Sequence, residues 1–388
     1  RQDTLLEKGW KFTREDGEFS GINVADENWQ DVNVPHDWAI YGPFDANNDA
    51  QVVAITQNFE TMASLKTGRT GGLPYVGVGW YRTVFEIPDF DSDKHAELLF
   101  DGAMSDAKVY VNGKYVGQWP YGYNSFHFDV TDYVNPDGKN NTLAVRLENL
   151  PESSRWYPGA GLYRNVHLIV TDKVHVPIWG TQVICSDISD KSAKVSLKVK
   201  VEGAESISTI IRTKSGKKVA SSKEVTRTDI GFDQEFTVKN PDLWTPENPA
   251  LYEAVTTVYA NGKVVDEYVT TFGIRSIELI ADKGFFLNGK NRKIQGVCNH
   301  HDLGPLGAAI NEAALRRQLT LLKEMGCDAI RTSHNMPAPD LVRLCDEMGF
   351  MMMIEPFDEW DIRKCRNGYH RLFDEWAEKD MVNMIHQF

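Results

Sequence analysis

The sequence predicts a multidomain fold, β through residue 276 and α/β from there to Phe388. Two patterns carry this. Upstream, short runs alternate inward and outward side chains between Gly and Asn turn signals, the period-two signature of sandwich strands. From Lys293 onward, apolar runs of strand length alternate with stretches of helical period, as in the first three βα units of a (β/α)8 barrel. The expected units are 1–173, 174–276 and 277–388.

In the first unit, Trp80-Tyr81-Arg82-Thr83-Val84-Phe85-Glu86-Ile87 alternates side to side. The run 108–111 does the same and leads into Asn112-Gly113, a strong hairpin signal. Runs 143–147 and 165–170 continue the series. The stretch 41–79 is rich in Asn and Gly and poor in strand pattern, and long loops on a rigid sheet are either functional or disordered. The second unit carries runs at 195–201, 207–212, 232–238 and 252–259, the last before Asn261-Gly262. Its size and strand spacing fit an immunoglobulin-like sandwich. A further hairpin, Phe286-Leu287-Asn288-Gly289-Lys290, leads into the third unit.

There, Ile294, Val297 and Cys298 form a first strand. Asn311 is placed to cap a helix whose Leu315, Leu319, Leu322 and Met325 share a face, and Gly326 supplies the left-handed stop. Ala329 and Ile330 make a second strand running into Arg331-Thr332-Ser333-His334. Pro339 opens a second helix with the stripe Leu341, Leu344, Cys345 and Met348 before Gly349. Residues 350–354 are an unbroken apolar third strand, as parallel sheets require. A third helix carries Phe373, Trp376, Ala377, Met381, Met384 and Phe388. A flavodoxin-like half-sheet gives the same alternation, so period alone does not separate the two.

Composition excludes several classes. The net charge is −13 with no basic stripe, which removes nucleic acid and anionic membrane as partners. The longest apolar runs are about half of what spans a bilayer. Five cysteines show no CxxC and no paired spacing, so Cys298 and Cys345 are expected as buried thiols and neither a disulfide framework nor a metal site is expected from them. The Gly-rich segment 68–79 lies between β segments with no helix to present amides, so it is no phosphate loop.

In order along the chain, several segments resemble glycoside hydrolase family 2, the β-galactosidase and β-glucuronidase group. They are Val34-Pro35-His36-Asp37-Trp38, Gly79-Trp80-Tyr81-Arg82, Val109-Tyr110-Val111-Asn112-Gly113-Lys114, and Gly159-Ala160-Gly161-Leu162-Tyr163-Arg164. Then come Phe272-Gly273-Ile274-Arg275, Phe286-Leu287-Asn288-Gly289-Lys290, Gly296-Val297-Cys298-Asn299-His300-His301, Ile330-Arg331-Thr332-Ser333-His334 and Leu344-Cys345-Asp346-Glu347-Met348-Gly349. The resemblance implies a jelly-roll sugar-binding β-sandwich, an immunoglobulin-like β-sandwich and a truncated catalytic barrel.

It also implies a reaction: hydrolysis of a terminal β-glycosidic bond with retention, between two carboxyl groups about 5 Å apart. In the family the acid/base Glu follows an Asn after strand four and the nucleophile ends strand seven. Both are expected beyond Phe388, so the catalytic glutamates are expected on a longer polypeptide and the chain alone is expected to be inactive. His300 and His334 match positions that line the sugar pocket; the alternative is that each caps a strand end. Arg331 either orients a neighbouring carboxylate or makes a plain salt bridge. Glu355 is a pocket-wall residue or a solvated loop acid, with Asp358 and Glu359 close behind. The loop before Gly161-Leu162-Tyr163-Arg164 carries Arg155-Trp156, the pair found in a β-galactosidase-like bacterial subgroup. Arg155 offers planar donors to sugar oxygens, and Trp156 either stacks on a pyranose or packs at a domain interface. His36-Asp37-Trp38 and Asn47-Asn48-Asp49 are weaker candidates that fit structural turns. No cofactor is expected; Mg²⁺ or Na⁺ enters only through the resemblance, and Asp361 stands where some members have a metal-binding His. The expected partners are a β-linked oligosaccharide or glycoside and the rest of the barrel, with homo-oligomerisation left open and a periplasmic or secreted location favoured. The alternatives are β-glucuronidase or β-mannosidase specificity, and a non-catalytic carbohydrate-binding protein.

Overall fold

The computed structural model describes residues 1–45, 48, 53–55, 61–62, 64–66, 75–222 and 225–388. Asn47 and Asp49 of the candidate loop, and most of 41–79 with it, lie outside the described residues.

Alternation in the first unit resolves into two antiparallel sheets. One runs in the order Gln2–Leu5, Val166–Asp172, Lys94–Phe100, Phe126–Asp129. The other runs Gln30–Val32, Trp10–Thr13, Gly77–Phe85, Asn141–Asn149, Ala107–Val111, Lys114–Trp119. Their inner faces share one core, with Trp10, Phe12 and Tyr81 from the larger sheet meeting Leu98, Phe100 and Phe126 from the smaller. This is the jelly-roll sandwich. The Asn112-Gly113 turn has φ of 50° and 77°, the pair of left-handed residues that a two-residue hairpin needs to match strand twist.

The second sandwich pairs the sheet Thr181–Ser186, Ser192–Lys200, Gly231–Lys239, Val225–Thr228 with the sheet Lys218–Ser221, Ser206–Thr213, Tyr252–Ala260, Lys263–Phe272. Its strands bury every second residue, as in Ala193, Val195, Leu197 and Val199.

Three parallel strands, Gly296–Asn299, Ala329–Thr332 and Met351–Met353, then lie side by side in chain order. A flavodoxin-like sheet would place the first strand between the other two, so the order selects the barrel. Helix α1 (Glu312–Glu324) is capped by Asn311, whose side chain accepts from Ala314 N at 2.9 Å. Helix α2 (Pro339–Met348) ends on Gly349 in the left-handed region. Both helices pack on one face of the sheet: Leu315 and Leu319 of α1 and Leu344 and Cys345 of α2 meet Ile330 and Phe350. That common side follows from right-handed crossovers.

Across the other face, register sets the side chains in rows. Gly296, Ala329 and Met351 are aligned, and Ala329 and Met351 are covered by Trp244, Leu251 and the hairpin residue Leu287. One step on, Cys298, Arg331 and Met353 are aligned, and Cys298 and Met353 are exposed. The expectation of a buried thiol is therefore met at Cys345 but corrected at Cys298. Cys298 sits on a strand with a single neighbour, in the row that nothing among the described residues covers.

Helix α3 (Phe373–Gln387) departs from the simple barrel pattern. Its Phe373, Ala377, Met381 and Met384 pack on the first domain, against a cluster that includes Met104, Tyr121 and Tyr123. Asp380 lies at the centre with no exposed surface. Its carboxylate accepts from Trp119 Nε1 at 2.9 Å, from Asn124 Nδ2 at 2.8 Å and from the Tyr369 hydroxyl. Burial lifts the Asp380 carboxyl from 3.8 to about 6, against the pull of these donors.

Because its folded value is raised, Asp380 contributes stability fully only below about pH 4, and that contribution is lost as pH rises through about 6. Urea midpoints for Asp380→Asn measured from pH 4 to 7 should therefore fall less steeply than those of the parent, by on the order of 2 kcal/mol across the window. Equal slopes in the two proteins would contradict the assignment.

Candidate functional site

The C-terminal ends of parallel strands are where a barrel gathers reactive groups, and three strand ends here deliver His300, Arg331 with His334, and Glu355. Glu355 is fixed by its backbone N–H, which donates to Thr332 Oγ1 at 3.1 Å. Its carboxylate takes both neighbours: Arg331 Nε donates to Oε1, and His334 Nδ1–H donates to Oε2 at 2.7 Å. With Nδ1 so engaged, Nε2 is the His334 nitrogen left for another partner. His300 stands 5.9 Å from His334, ring centroid to centroid. Burial and the facing His334 lower the His300 pKa, against a hydrogen bond to the Ser333 backbone, which keeps the imidazole neutral near pH 7.

Trp156 forms the wall behind the two imidazoles. Its ring centroid lies 5.0 Å from that of His300 and 5.9 Å from that of His334, and its Nε1–H donates to the Tyr123 hydroxyl at 3.1 Å. Only 8% of its surface is open, so interface packing is its observed role and a small edge remains for a ligand. Arg155 reaches the other way and forks onto Asp358 from Nε (2.9 Å) and Nη2. Burial opposes ionisation of Asp358, but the Arg155 pair outweighs it and holds the carboxyl below its usual range. Glu359 is buried and saturated, accepting from the backbone N–H groups of Lys364 and Cys365 and from His370 Nδ1 at 2.6 Å. It shapes the loop 358–372. None of the three acids is a free carboxylate.

The loop that carries Arg155 and Trp156 is held by residues that look like turn formers in the sequence. Asp37 is buried and accepts from Ala39 N (3.0 Å), Ala160 N (2.9 Å), Ala308 N (2.8 Å) and the Tyr157 hydroxyl (2.6 Å). Ala308 belongs to the loop after the first barrel strand, so one carboxylate joins that loop to the first domain. Gly307 (φ 66°) and Gly159 (φ 70°) lie against it, each so close that a Cβ would strike Asp37 or a neighbour. His301, adjacent to His300, turns inward: its Nε2–H donates to Pro158 O at 3.0 Å, and burial lowers its pKa to about 3. Arg164 does the same work at the second strand end, donating to Met336 O at 2.9 Å, Pro337 O at 3.2 Å and Tyr123 O at 2.7 Å.

Thus His300, His334, Arg331, Glu355 and Trp156 come together, and Arg155 sits one step away on Asp358. A cavity of about 630 Å³ opens between the first domain and the loop 358–372, lined by Tyr121, Tyr123, Trp156, His334, Asp358 and Glu359 among others. It meets the strand-end cluster at His334 and Trp156; His300, Arg331 and Glu355 lie outside it. Sequence reasoning missed Tyr123 and the Asp37–Ala308 link; the segments around Asp37 and Arg164 were singled out, but as local turns and family likeness and not as links between units. Asp361 is exposed and joins no group of three ligating side chains among the described residues. These residues do not by themselves assemble a divalent-ion site at the third strand, and no step is drawn through one.

Comparison with known proteins places the same segments in one family. Residues 5–172 match the description "Glycosyl hydrolases family 2, sugar binding domain", 175–275 match "Glycosyl hydrolases family 2", and 278–379 match "Glycosyl hydrolases family 2, TIM barrel domain". A beta-galactosidase of Bacteroides ovatus is 41% identical over 99% of this chain, which spans 44% of that protein. A beta-glucuronidase of Formosa agariphila is 29% identical over 91% of this chain, which spans 39% of it. The solved structure of a glycosyl hydrolase family 2 member from Bacteroides cellulosilyticus superposes with a TM-score of 0.91 at 32% identity, covering 100% of this chain and 50% of its own. The chain thus spans about half the length, or less, of these relatives.

Replacing Asp37 by Ala would strand three buried backbone N–H groups, each costing about 1–3 kcal/mol when unpaired. Asp37→Ala should lower the urea midpoint by the equivalent of at least about 3 kcal/mol. It should also speed hydrogen exchange at Ala160 and Ala308 more than elsewhere. Unchanged exchange at Ala308 would show that Asp37 does not join the two units.

Proposed function

Since this chain belongs to glycoside hydrolase family 2, we propose that the protein it comes from is a retaining exo-β-glycosidase, with terminal β-galactosides as its substrates. The observation that carries this is the polar cluster at three successive parallel strand ends, where His300 and His334, the latter braced by Glu355, present ring nitrogens on one open face. A neutral His300 and the Nε2 of His334 suit hydroxyls of a pyranose. Arg331 spends its charge on Glu355 and so fixes the wall without competing for the sugar. Galactoside over glucuronide is supported by Arg155-Trp156 and by the name of the Bacteroides ovatus relative. The Formosa agariphila relative supports β-glucuronide as the second reading.

The acid/base and the nucleophile are not supplied by the acids near the third strand. Glu355, Asp358 and Glu359 are each committed to a cation or to backbone amides, whereas a retaining glycosidase needs one carboxylate poised to attack and one carboxyl able to protonate the leaving oxygen. Both come from barrel strands outside this chain, which also cover the exposed row of Cys298 and Met353. The chain by itself does not turn over substrate.

The whole protein should release nitrophenol from nitrophenyl β-galactoside, with retained configuration by NMR, and faster than from the β-glucuronide. The purified 388-residue chain should give no rate above buffer. Within the whole protein, His334→Ala should lower kcat/KM by roughly a hundredfold, the loss of about 3 kcal/mol of sugar contact. Turnover by the chain alone, or a His334→Ala variant as active as the parent, would overturn this reading.

A further inference from the structure

Away from the strand-end cluster, the smaller sheet of the first domain holds a second concentration of imidazoles. His95 and Glu97 are two residues apart on the strand Lys94–Phe100 and so share a face. His175 comes from the link between the two sandwiches and stacks on His95, with ring centroids 4.6 Å apart. One ligating atom from each of His95, Glu97 and His175 lies within 4.8 Å of the others.

Each of the three is also held from behind. His175 Nδ1–H donates to Asp172 O at 2.7 Å, which leaves Nε2 as a lone-pair donor with no hydrogen bond among the described residues. His95 Nδ1 lies 3.1 Å from Thr131 Oγ1 and 3.7 Å from Asp129 Oδ1, so its Nε2 is the nitrogen turned to Glu97 Oε2, at 3.5 Å. The other carboxylate oxygen, Glu97 Oε1, is taken by His127 Nδ1 at 2.9 Å. Ligating histidines tied through the far ring nitrogen, with a carboxylate fixed through its second oxygen, are the supporting arrangement that metal sites need. Thr171, which the register sets opposite His95, adds a buried hydroxyl with no partner.

We propose that His95, Glu97 and His175 bind a divalent transition-metal ion, zinc by preference, as a structural clasp at the joint between the two sandwiches. Two imidazoles and one carboxylate suit a borderline-soft ion with water in the fourth position. Metal–ligand bonds of about 2.0–2.2 Å require the three ligand atoms, now within 4.8 Å of one another, to draw together and the stacked rings of His95 and His175 to turn towards one point. What the ion would hold is clear from the next residue. Val176 N donates to Asp266 of the second sandwich at 2.9 Å, and Arg1 pairs with the same carboxylate at 2.9 Å while lying over Tyr268. His175 therefore sits where the link passes from the first domain to the second sandwich, one residue before the Val176–Asp266 bond.

The test is zinc titration of the protein after EDTA treatment, by calorimetry and by thermal unfolding at pH 7.5. The parent should bind one equivalent with micromolar or tighter affinity and unfold at higher temperature in zinc than in EDTA. His175→Ala and Glu97→Gln should each weaken binding at least tenfold and abolish the difference in unfolding temperature between zinc and EDTA, whatever the variant's own unfolding temperature in EDTA. His386→Ala, which alters an exposed histidine on α3, should behave as the parent. Absence of zinc binding by the parent, or binding unaffected by His175→Ala and Glu97→Gln, would overturn the proposal. Should His175→Ala not fold, the conservative Glu97→Gln decides alone.

Discussion

Four donors converge on the carboxylate of Asp37, three of them backbone N–H groups from separate stretches of chain. A buried carboxylate is costly unless its lone pairs are satisfied, and here they are satisfied only when the first domain, the loop 154–160 and the loop 302–310 are all in place. The constraint is mutual: Gly159 and Gly307 have no room for a side chain beside the carboxylate, so both loops must approach as bare backbone. Trp156 and His300 hang from those two loops. Their ring contact at 5.0 Å is a consequence of where Asp37 puts the backbone.

Two further anchors extend the same logic. Arg164 binds carbonyls just past His334, and Asp380 draws α3 onto Trp119 and Asn124. All three use a buried charged group of one unit against polar groups of another. An apolar contact would give comparable adhesion with less angular definition, whereas a hydrogen-bonded charge fixes both distance and direction. The barrel's opening loops are thus shaped by the jelly-roll as much as by the parallel sheet beneath them.

Local patterns made much of this legible. Asn311, Gly349 and the Asn112-Gly113 turn act through neighbours a few residues away, and the structure places them as the pattern requires. The histidines at the first two strand ends were legible because strand ends are defined by apolar runs that stop. What escaped was contact across hundreds of residues: the apolar stripe of α3 was plain, but nothing in its period says that it covers Tyr121 and Trp119 instead of a barrel strand. Cys298 misled for a related reason. A strand pattern tells which face a residue takes, and only the neighbouring strand decides whether that face is closed. Residues 300 and 301 make the point at the site itself, since two adjacent histidines in one motif take opposite fates, His300 open and His301 sealed under Pro158.

Cooperation between units also explains why the acids after the third strand are all engaged. Asp358 is spent on Arg155 of the first domain, and Glu359 on closing its own loop. Left free, either would stand near the strand-end cluster as a carboxylate whose charge raises the pKa of any neighbouring acid. Pairing them removes that field while using the same charges to position the Arg155-Trp156 loop. Glu355 is neutralised likewise by Arg331 but keeps His334 beside it, so the polarity that survives at this face is that of imidazoles and fixed dipoles. A cluster of that kind offers oriented hydrogen-bonding groups and no free carboxylate among the described residues.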